Sequence, residues 1–297
     1  MKLVSLLPSA TEIVYSLGCS KHLVGVSHEC DSHPSVRFLK KLTTSKVKDS
    51  SSSVKIHQDI QYLLNQSLSV YEVNSELLRT LKPDIIITQS HCSACAVSIN
   101  QVKDCLVKFL GKKPQLINLN PNNLDGIFND IKKIGKGLKV NQESSSLISS
   151  IKRKFNDTLT KLSAAKSKNV LCIEWLNPIM TAGNWIPQLL YYCKANSIIA
   201  QQGVKSKIID LKKISMEKVD VVIIMPCGFN IERSKCSSSA MVDPKEVASL
   251  NAFLNILSAL LVRGRCPKVI VPPDVLIISS IIDCISTILQ SYISKIL

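Results

Sequence analysis

Aromatic side chains, acidic side chains and nucleotide-binding loops are all scarce in this chain. Phe, Trp and Tyr make up 5% of the 297 residues, and 22 acidic residues face 37 Lys and Arg, for a net charge of +15. Because aromatics are few and no RNA- or DNA-binding motif occurs, we expect no nucleic-acid partner and a solvated lysine surface. Neither G-x-x-x-x-G-K-[ST] nor G-x-G-x-x-G is present, which argues against a nucleotide enzyme. The G-x-S-x-G motif of serine hydrolases is missing too.

The cysteines and the first residues predict the compartment. Eleven cysteines are an odd number, so complete internal pairing is impossible. Several lie in apolar segments, where a free Cys packs as a small hydrophobe: Cys105, Cys172, Cys193 and Cys284. The first apolar run stops at Pro8, which favours a strand and a helix over an export signal. These features predict a cytoplasmic protein with reduced thiols. Polar residues at helical spacing in 275–297 predict an amphipathic helix and no membrane span.

Short apolar runs alternate with helical patterns, which predicts an α/β fold with parallel sheets. The predicted strands are 2–7, 23–27, 85–88, 115–119, 169–173 and 219–225. Residues 123–165 show a helical pattern without a strand signal, broken or bent at Gly135 and Gly137. The simplest assembly is an N-terminal lobe (1–122), a connecting helical segment (123–165) and a C-terminal lobe (166–297).

Cysteine and histidine side chains follow several predicted strands. Cys92 and Cys95 follow the strand at 85–88, and His28, Cys30 and Cys227 follow others. In open α/β sheets the carboxyl ends of strands are where ligands bind. The Cys-x-x-Cys pair alone allows three interpretations: half of a zinc or iron–sulfur site, a redox pair, or two small residues at a turn. Our hypothesis is a thiol cluster of Cys92, Cys95 and at least one of the other three, which suits a transition metal such as zinc or iron.

Three aromatic residues lie near strand ends in the second half of the chain, namely Trp175, Trp185 and Phe229. They either pack in the core or form a flat wall for a large planar ligand. In the second case Asn184 supplies a hydrogen bond. The sequence leaves both interpretations open.

The segment from Ser5 to Gly18, SLLPSATEIVYSLG, resembles the opening of the cobalamin/iron-chelate substrate-binding proteins of ABC importers. Further segments resemble a branch of that family labelled cobalamin-binding: 26–31, 88–97, 174–178, 182–187 and 225–233. The resemblance covers roughly residues 1–235. It implies a class III fold, with two Rossmann-like lobes joined by a long connecting helix and a ligand held in the cleft between them.

The resemblance implies non-enzymatic binding of a small molecule, a corrinoid such as cobalamin or a related metal chelate, by a monomer. The ligand-binding residues would be Ser9, His28, Glu29, Glu174, Trp175, Asn184, Trp185 and Phe229. The alternative is a metal- or thiol-dependent enzyme that uses the cleft cysteines and Glu174. The family docks on its importers through one surface Glu per lobe. Glu76 fits the first position, but Lys212 lies near the second, with Glu217 close by. Together with the missing export signal, this argues against an ABC importer as a partner.

Overall fold

The computed structural model describes residues 1–31, 33–48, 52–66, 68–91, 97, 99–107, 113–210, 214 and 218–228. The strands in this part of the chain are β1 (Leu3–Ser5), β2 (Leu23–Val26), β3 (Lys40–Lys41), β4 (Thr43–Ser45), β5 (Tyr71–Val73), β6 (Ile85–Gln89), β7 (Gln115–Leu119), β8 (Lys168–Leu176), β9 (Ile179–Thr181), β10 (Ala195–Ser197) and β11 (Val221–Ile224). The α-helices are α1 (Pro8–Ser16), α2 (Ser53–Asn65), α3 (Ser75–Leu81), α4 (Ile99–Val107), α5 (Leu124–Leu138), α6 (Asn141–Lys161) and α7 (Ile186–Tyr192). None of these helices is both long and apolar enough to cross a membrane.

The described chain forms two compact units. Unit 1 contains the described residues within Met1–Ser51 and Gln58–Arg153. Unit 2 contains those within Ser52–His57 and Lys154–Thr287. Helix α6 has residues in both units. The predicted lobe boundaries stay a prediction.

Unit 1 is built on a five-stranded parallel sheet in the order β3-β2-β1-β6-β7. Leu3 of the central β1 pairs with Leu23 on one side and Ile85 on the other. Every residue of β6 is buried, as expected for a parallel strand covered on both faces. The predicted parallel sheet is therefore confirmed.

The direction in which this sheet grows reverses between β1 and β6. From β1 the chain adds β2 and β3 on one side, and it then adds β6 and β7 on the other. Neighbouring crossovers on opposite sides leave a crevice outside the carboxyl ends of β1 and β6. Open α/β sheets bind their ligands at such a switch point.

The two glycines of α5 do not interrupt the helix, and a bend at either of them stays a prediction. α5 continues to Leu138 and ends where Lys139 takes a left-handed conformation, with φ 60°. A Cβ atom on Gly135 would lie 2.5 Å from the side chain of Ser144, and one on Gly137 would lie 2.4 Å from that of Ile117. The glycines let α5 pack closely against its neighbours.

Unit 2 has a separate sheet in which β10, β8 and β11 are parallel and β9 pairs with β8 in the antiparallel sense. Leu171, Ile173 and Leu176 of β8 form its buried core. The sequence predicted that this strand stops at residue 173. The strand continues to Leu176 because the hairpin with β9 supplies further pairing. The expected fold class, with two α/β lobes and parallel sheets, is confirmed.

Candidate functional site

A pocket lies at the carboxyl edge of the unit 1 sheet, at the switch point between β1 and β6. Its cavity volume is about 10 Å³. Its lining comes from the segments that follow β1, β6 and β7 and from α5: Leu7, Ser9, Gln89, His91, Leu119, Pro121 and Asp130. Ser9 is the one predicted ligand-binding residue among them.

Ser9 lies inside the first turn of α1. Leu7 is the N-cap and makes no side-chain capping bond, and Pro8 is the first helical residue. Proline suits this position because the N–H that it lacks would have no helical acceptor. The Ser9 side chain therefore does not cap α1. Ser9 is 2% exposed and lines the pocket.

Asp130 is a buried carboxylate that sequence reasoning missed. It is 1% exposed, and it accepts hydrogen bonds from Lys133 Nζ (2.7 Å) and from the backbone N–H of Asn120 (3.2 Å). Burial raises its pKa, and Lys133 opposes that effect. A signal was available, since Asp130 falls on the apolar face of α5 between Ile127 and Ile131. An acidic side chain on a buried stripe is an exception that calls for a reason.

His28 and Glu29, both predicted ligand residues, are held together after β2. His28 Nδ1 lies 2.7 Å from Thr43 Oγ1, and the His28 ring contacts the Tyr71 ring at 5.7 Å between centroids. The Tyr71 hydroxyl donates to Glu29 Oε1 at 3.0 Å. Thr43 and Tyr71 belong to the antiparallel pair β4–β5, and no local sequence pattern indicated their role. The pair fixes the orientation of two half-buried polar groups.

The predicted thiol cluster stays a prediction. Cys92 and Cys95 lie outside the described residues. Cys30 is 1% exposed, with Sγ 3.1 Å from Thr11 Oγ1, and burial raises its thiol pKa to about 11. Cys227 is half-buried in unit 2. Within the described part of the chain, no three His, Cys, Asp or Glu side chains are grouped as metal ligands.

Glu174 is a buried carboxyl near the end of β8 in unit 2. It is 8% exposed, and burial raises its pKa to about 7. Hydrogen bonds from the Ser206 side chain and the Gly183 backbone act in the opposite direction. A Cβ on Gly183 would lie 2.4 Å from the carbonyl oxygen of Val204, so only glycine fits here without a shift. Because its pKa is raised to about 7, the Glu174 carboxyl is expected to change its charge near neutral pH.

The aromatic residues of unit 2 differ in exposure. Trp185 is 3% exposed and packs inside the unit. Trp175 is half-buried, and its Nε1 donates to the carbonyl of Asn177 at 3.1 Å. Asn184 is 6% exposed in a left-handed conformation, and its Oδ1 has no hydrogen-bond partner among the described residues. Phe229 lies outside the described residues. The ligand contacts expected of these residues stay predictions, and Trp175 is the more accessible indole.

A sequence profile described as "Periplasmic binding protein" matches residues 3–255. The chain belongs to this family. The resemblance identified from the short motifs is thereby confirmed, and so is the prediction of a binding protein at the level of the family.

Individual relatives agree with this assignment. An uncharacterized ABC transporter substrate-binding lipoprotein, YvrC of Bacillus subtilis (strain 168), is 29% identical over 161 residues. That match covers 54% of this chain and 41% of the relative, so the chain matches less than half the length of this curated protein.

Two solved structures share the fold. The periplasmic vitamin B12 binding protein BtuF of Vibrio cholerae matches with 19% identity, 75% of each chain and a TM-score of 0.53. A periplasmic heme binding protein from Pseudomonas aeruginosa matches with 16% identity, 80% of this chain, 75% of the other and a TM-score of 0.58. At this identity the likeness concerns the fold alone.

Two sequence-based predictions are wrong. A cytoplasmic location conflicts with a family of periplasmic binding proteins. The argument against an ABC importer conflicts with the curated relative, which is named as an ABC transporter substrate-binding protein. The thiols misled the first prediction. Burial raises the pKa values of Cys19, Cys30, Cys105 and Cys172. Protonated thiols of this kind react slowly and do not depend on a reducing compartment.

Proposed function

We propose that this chain binds a corrinoid, or a related planar metal chelate, outside the cytoplasm and delivers it unchanged to an ABC importer. The observation that carries the proposal is the pocket at the switch point between β1 and β6, whose lining includes Ser9, Gln89 and His91. In α/β folds this is the expected position of a bound solute. The family assignment supports binding without catalysis.

The size of the pocket favours a ligand that extends beyond it. Its cavity volume is about 10 Å³, roughly the room that one water needs, whereas pockets that enclose a drug-sized ligand hold roughly 300–1,000 Å³. This pocket therefore takes one group at the rim of a larger molecule. In our proposal His28 and Glu29, which are held rigidly after the neighbouring strand, provide further polar contacts.

An indole surface in unit 2 supports a planar ligand. The half-buried Trp175 is fixed by its hydrogen bond to the carbonyl of Asn177, and aromatic faces stack well on extended ring systems. In our proposal Trp175 is a ligand-binding residue of unit 2. The vitamin B12 and heme binding proteins that share the fold are named for macrocyclic chelates.

Glu76 is our candidate for importer recognition. It is exposed in the first turn of α3, where the side chain of Asn74 caps the helix by accepting from the Leu77 N–H at 2.9 Å. The capped turn presents the carboxylate in a fixed position. Glu76→Lys is expected to abolish uptake of labelled cobinamide by cells that depend on this chain, and to leave binding by the purified protein intact. Asp125→Lys, an exposed acidic residue in the first turn of α5, is the matched control.

Purification without added ligand tests the binding proposal directly. The absorption spectrum and elemental analysis of the purified chain should reveal cobalt with a corrinoid or iron with haem, or the empty protein should quench its tryptophan emission when cobinamide or haemin is added. Absence of both macrocycles, together with no quenching at high micromolar concentration, would contradict the proposal. Stoichiometric zinc without a macrocycle would favour the metal-dependent alternative.

A further inference from the structure

Basic residues line the amino edge of the unit 1 sheet. A Lys or Arg precedes each of its five parallel strands by one to three residues: Lys2, Lys21, Arg37, Lys82 and Lys113. All five residues are exposed. Asp84 is the one acidic residue within the same distance of a strand start, and it accepts a hydrogen bond from the backbone N–H of Lys2 at 2.7 Å. Because the amino ends of parallel strands meet at one edge, this edge carries an excess of positive charge, opposite the edge that holds the pocket.

An aromatic side chain projects from the outer corner of this edge. Phe38 is 77% exposed, more than any other large apolar side chain that the structure describes. The guanidinium of Arg37 lies over its ring, 4.9 Å from the centroid, and Lys40, two residues further on, is exposed as well. The three residues stand at the start of β3, which is an edge strand of the sheet. We call Arg37, Phe38 and Lys40 the basic corner.

The turn that carries Phe38 is held on α1. Residues Pro34–Phe38 form a 3₁₀ helix, and the side chain of its N-cap, His33, accepts a hydrogen bond from the Ser35 N–H at 3.3 Å. The His33 ring stacks on the ring of Tyr15 with 4.4 Å between the centroids, and the Tyr15 hydroxyl lies 2.6 Å from Ser35 Oγ. The Phe38 ring is therefore exposed on an ordered turn, where it stays available to a partner.

The chemistry of this surface fits a membrane better than a protein. Peripheral proteins bind a bilayer through apolar side chains that enter the interface and through cations that attract anionic headgroups. Phe38 supplies the apolar side chain, and the amino edge supplies the cations. A protein interface is instead built around a packed apolar centre, whereas Phe38 is a single ring flanked by the charged residues Arg37 and Lys40.

We propose that the amino edge of the unit 1 sheet docks on an anionic lipid bilayer, with Phe38 inserted into the interface and the basic residues placed against the headgroup phosphates. The pocket lies at the opposite edge of the sheet, so docking in this way leaves the pocket open to a solute. The inference goes beyond the proposed function, and it holds whichever solute the chain binds.

Co-sedimentation with lipid vesicles tests the role of charge. The purified chain should bind vesicles made of equal parts of phosphatidylglycerol and phosphatidylcholine much more tightly than vesicles of phosphatidylcholine alone, and high salt should weaken this binding because it screens exposed charges. The double variant Arg37→Glu/Lys40→Glu should bind the anionic vesicles about 25-fold more weakly, at roughly 5-fold for each cation removed. The matched control is Lys132→Glu/Arg153→Glu, which makes the same change of charge at exposed positions of α5 and α6 and should bind nearly as the wild type does.

Substitutions of Phe38 test the insertion of its ring. Phe38→Ser should weaken binding to the anionic vesicles about 10-fold, whereas Tyr62→Ser, which removes an exposed ring from α2, should leave it unchanged. Phe38→Trp should gain emission that brominated lipids in the anionic vesicles quench, beyond any change in the wild type.

Four results would overturn the proposal. The first is equal binding of the chain to neutral and anionic vesicles, or binding to neither. The second is an equal loss of binding in the two charge-reversal variants, and the third is unquenched emission of Phe38→Trp. The fourth is binding of soluble polyglutamate as tight as that of the anionic vesicles, with no effect of Phe38→Ser on either, because this surface would then fit an acidic protein.

Discussion

Replacement of Glu174 by Gln is expected to remove a pH dependence from the stability of unit 2. The carboxyl is 8% exposed, and burial raises its pKa from 4.5 to about 7. In the unfolded chain the carboxyl returns to its ordinary pKa. Between these two values the folded state binds more protons than the unfolded state, so stability falls as the pH rises. The contribution of Glu174 to the free energy of unfolding is fully present below the pKa of the unfolded chain and is lost as the pH rises through the pKa of the folded state.

The size of the effect follows from the two pKa values. A change from 4.5 to about 7 corresponds to about 3 kcal/mol at about 1.4 kcal/mol per pH unit. The nearby thiol of Cys172 does not titrate in this range, because burial raises its pKa to about 12. Glu174 is thus expected to dominate the slope near neutral pH, and the Gln variant should be the more stable protein at alkaline pH.

Tryptophan emission provides an assay confined to unit 2. The chain has two tryptophans, Trp175 and Trp185, and both lie in that unit. Denaturant titrations that follow this signal give the denaturant concentration at the midpoint of unfolding. In the wild type this concentration should fall as the pH is raised from about 5 to about 8, and in Glu174→Gln it should stay nearly constant. Asp157→Asn, an exposed acidic position in unit 2, should retain the wild-type slope. If Glu174→Gln also retains that slope, the buried carboxyl does not account for the pH dependence.

Three further predictions concern unit 2 and the thiols. Gly183→Ala should destabilise unit 2, because its Cβ would lie 2.4 Å from a backbone carbonyl oxygen; a midpoint equal to that of the wild type would contradict this packing. Trp185→Ala should cost about 3–5 kcal/mol of stability, as for other buried aromatics, whereas Trp175→Ala should weaken binding of cobinamide with little loss of stability, and the reverse pattern would contradict the assigned exposures. Thiol titration under native conditions should leave Cys30 and Cys172 unreacted until a denaturant is added, because both are buried with raised pKa values; rapid native labelling of either would refute that assignment.

The sheet strands of unit 1 were the most predictable part of the fold. The strand predicted at 115–119 coincides with β7, and the strand predicted at 85–88 differs from β6 by one residue. Both are short apolar runs bounded by polar or proline residues, and buried parallel strands leave this local pattern in the sequence. The carboxyl edge of the sheet, and hence the region of Ser9, followed from the same pattern.

Contacts made between distant segments were not predictable. Thr43 and Tyr71 orient His28 and Glu29 through the antiparallel pair of β4 and β5, and no short-range pattern encodes this pairing. The glycine at 135 was interpreted as a break because an isolated glycine lowers helix propensity. Its actual role is to admit the side chain of Ser144, which only the packing of α6 against α5 explains.

Equilibrium dialysis against cobinamide, followed by measurement of the mass of the recovered ligand, tests whether the purified chain binds a corrinoid and releases it unaltered. Saturable retention of about one equivalent is expected, together with recovery of cobinamide with its mass unchanged. Failure to retain any corrinoid or haem, or recovery of a chemically altered product, would contradict the proposed function.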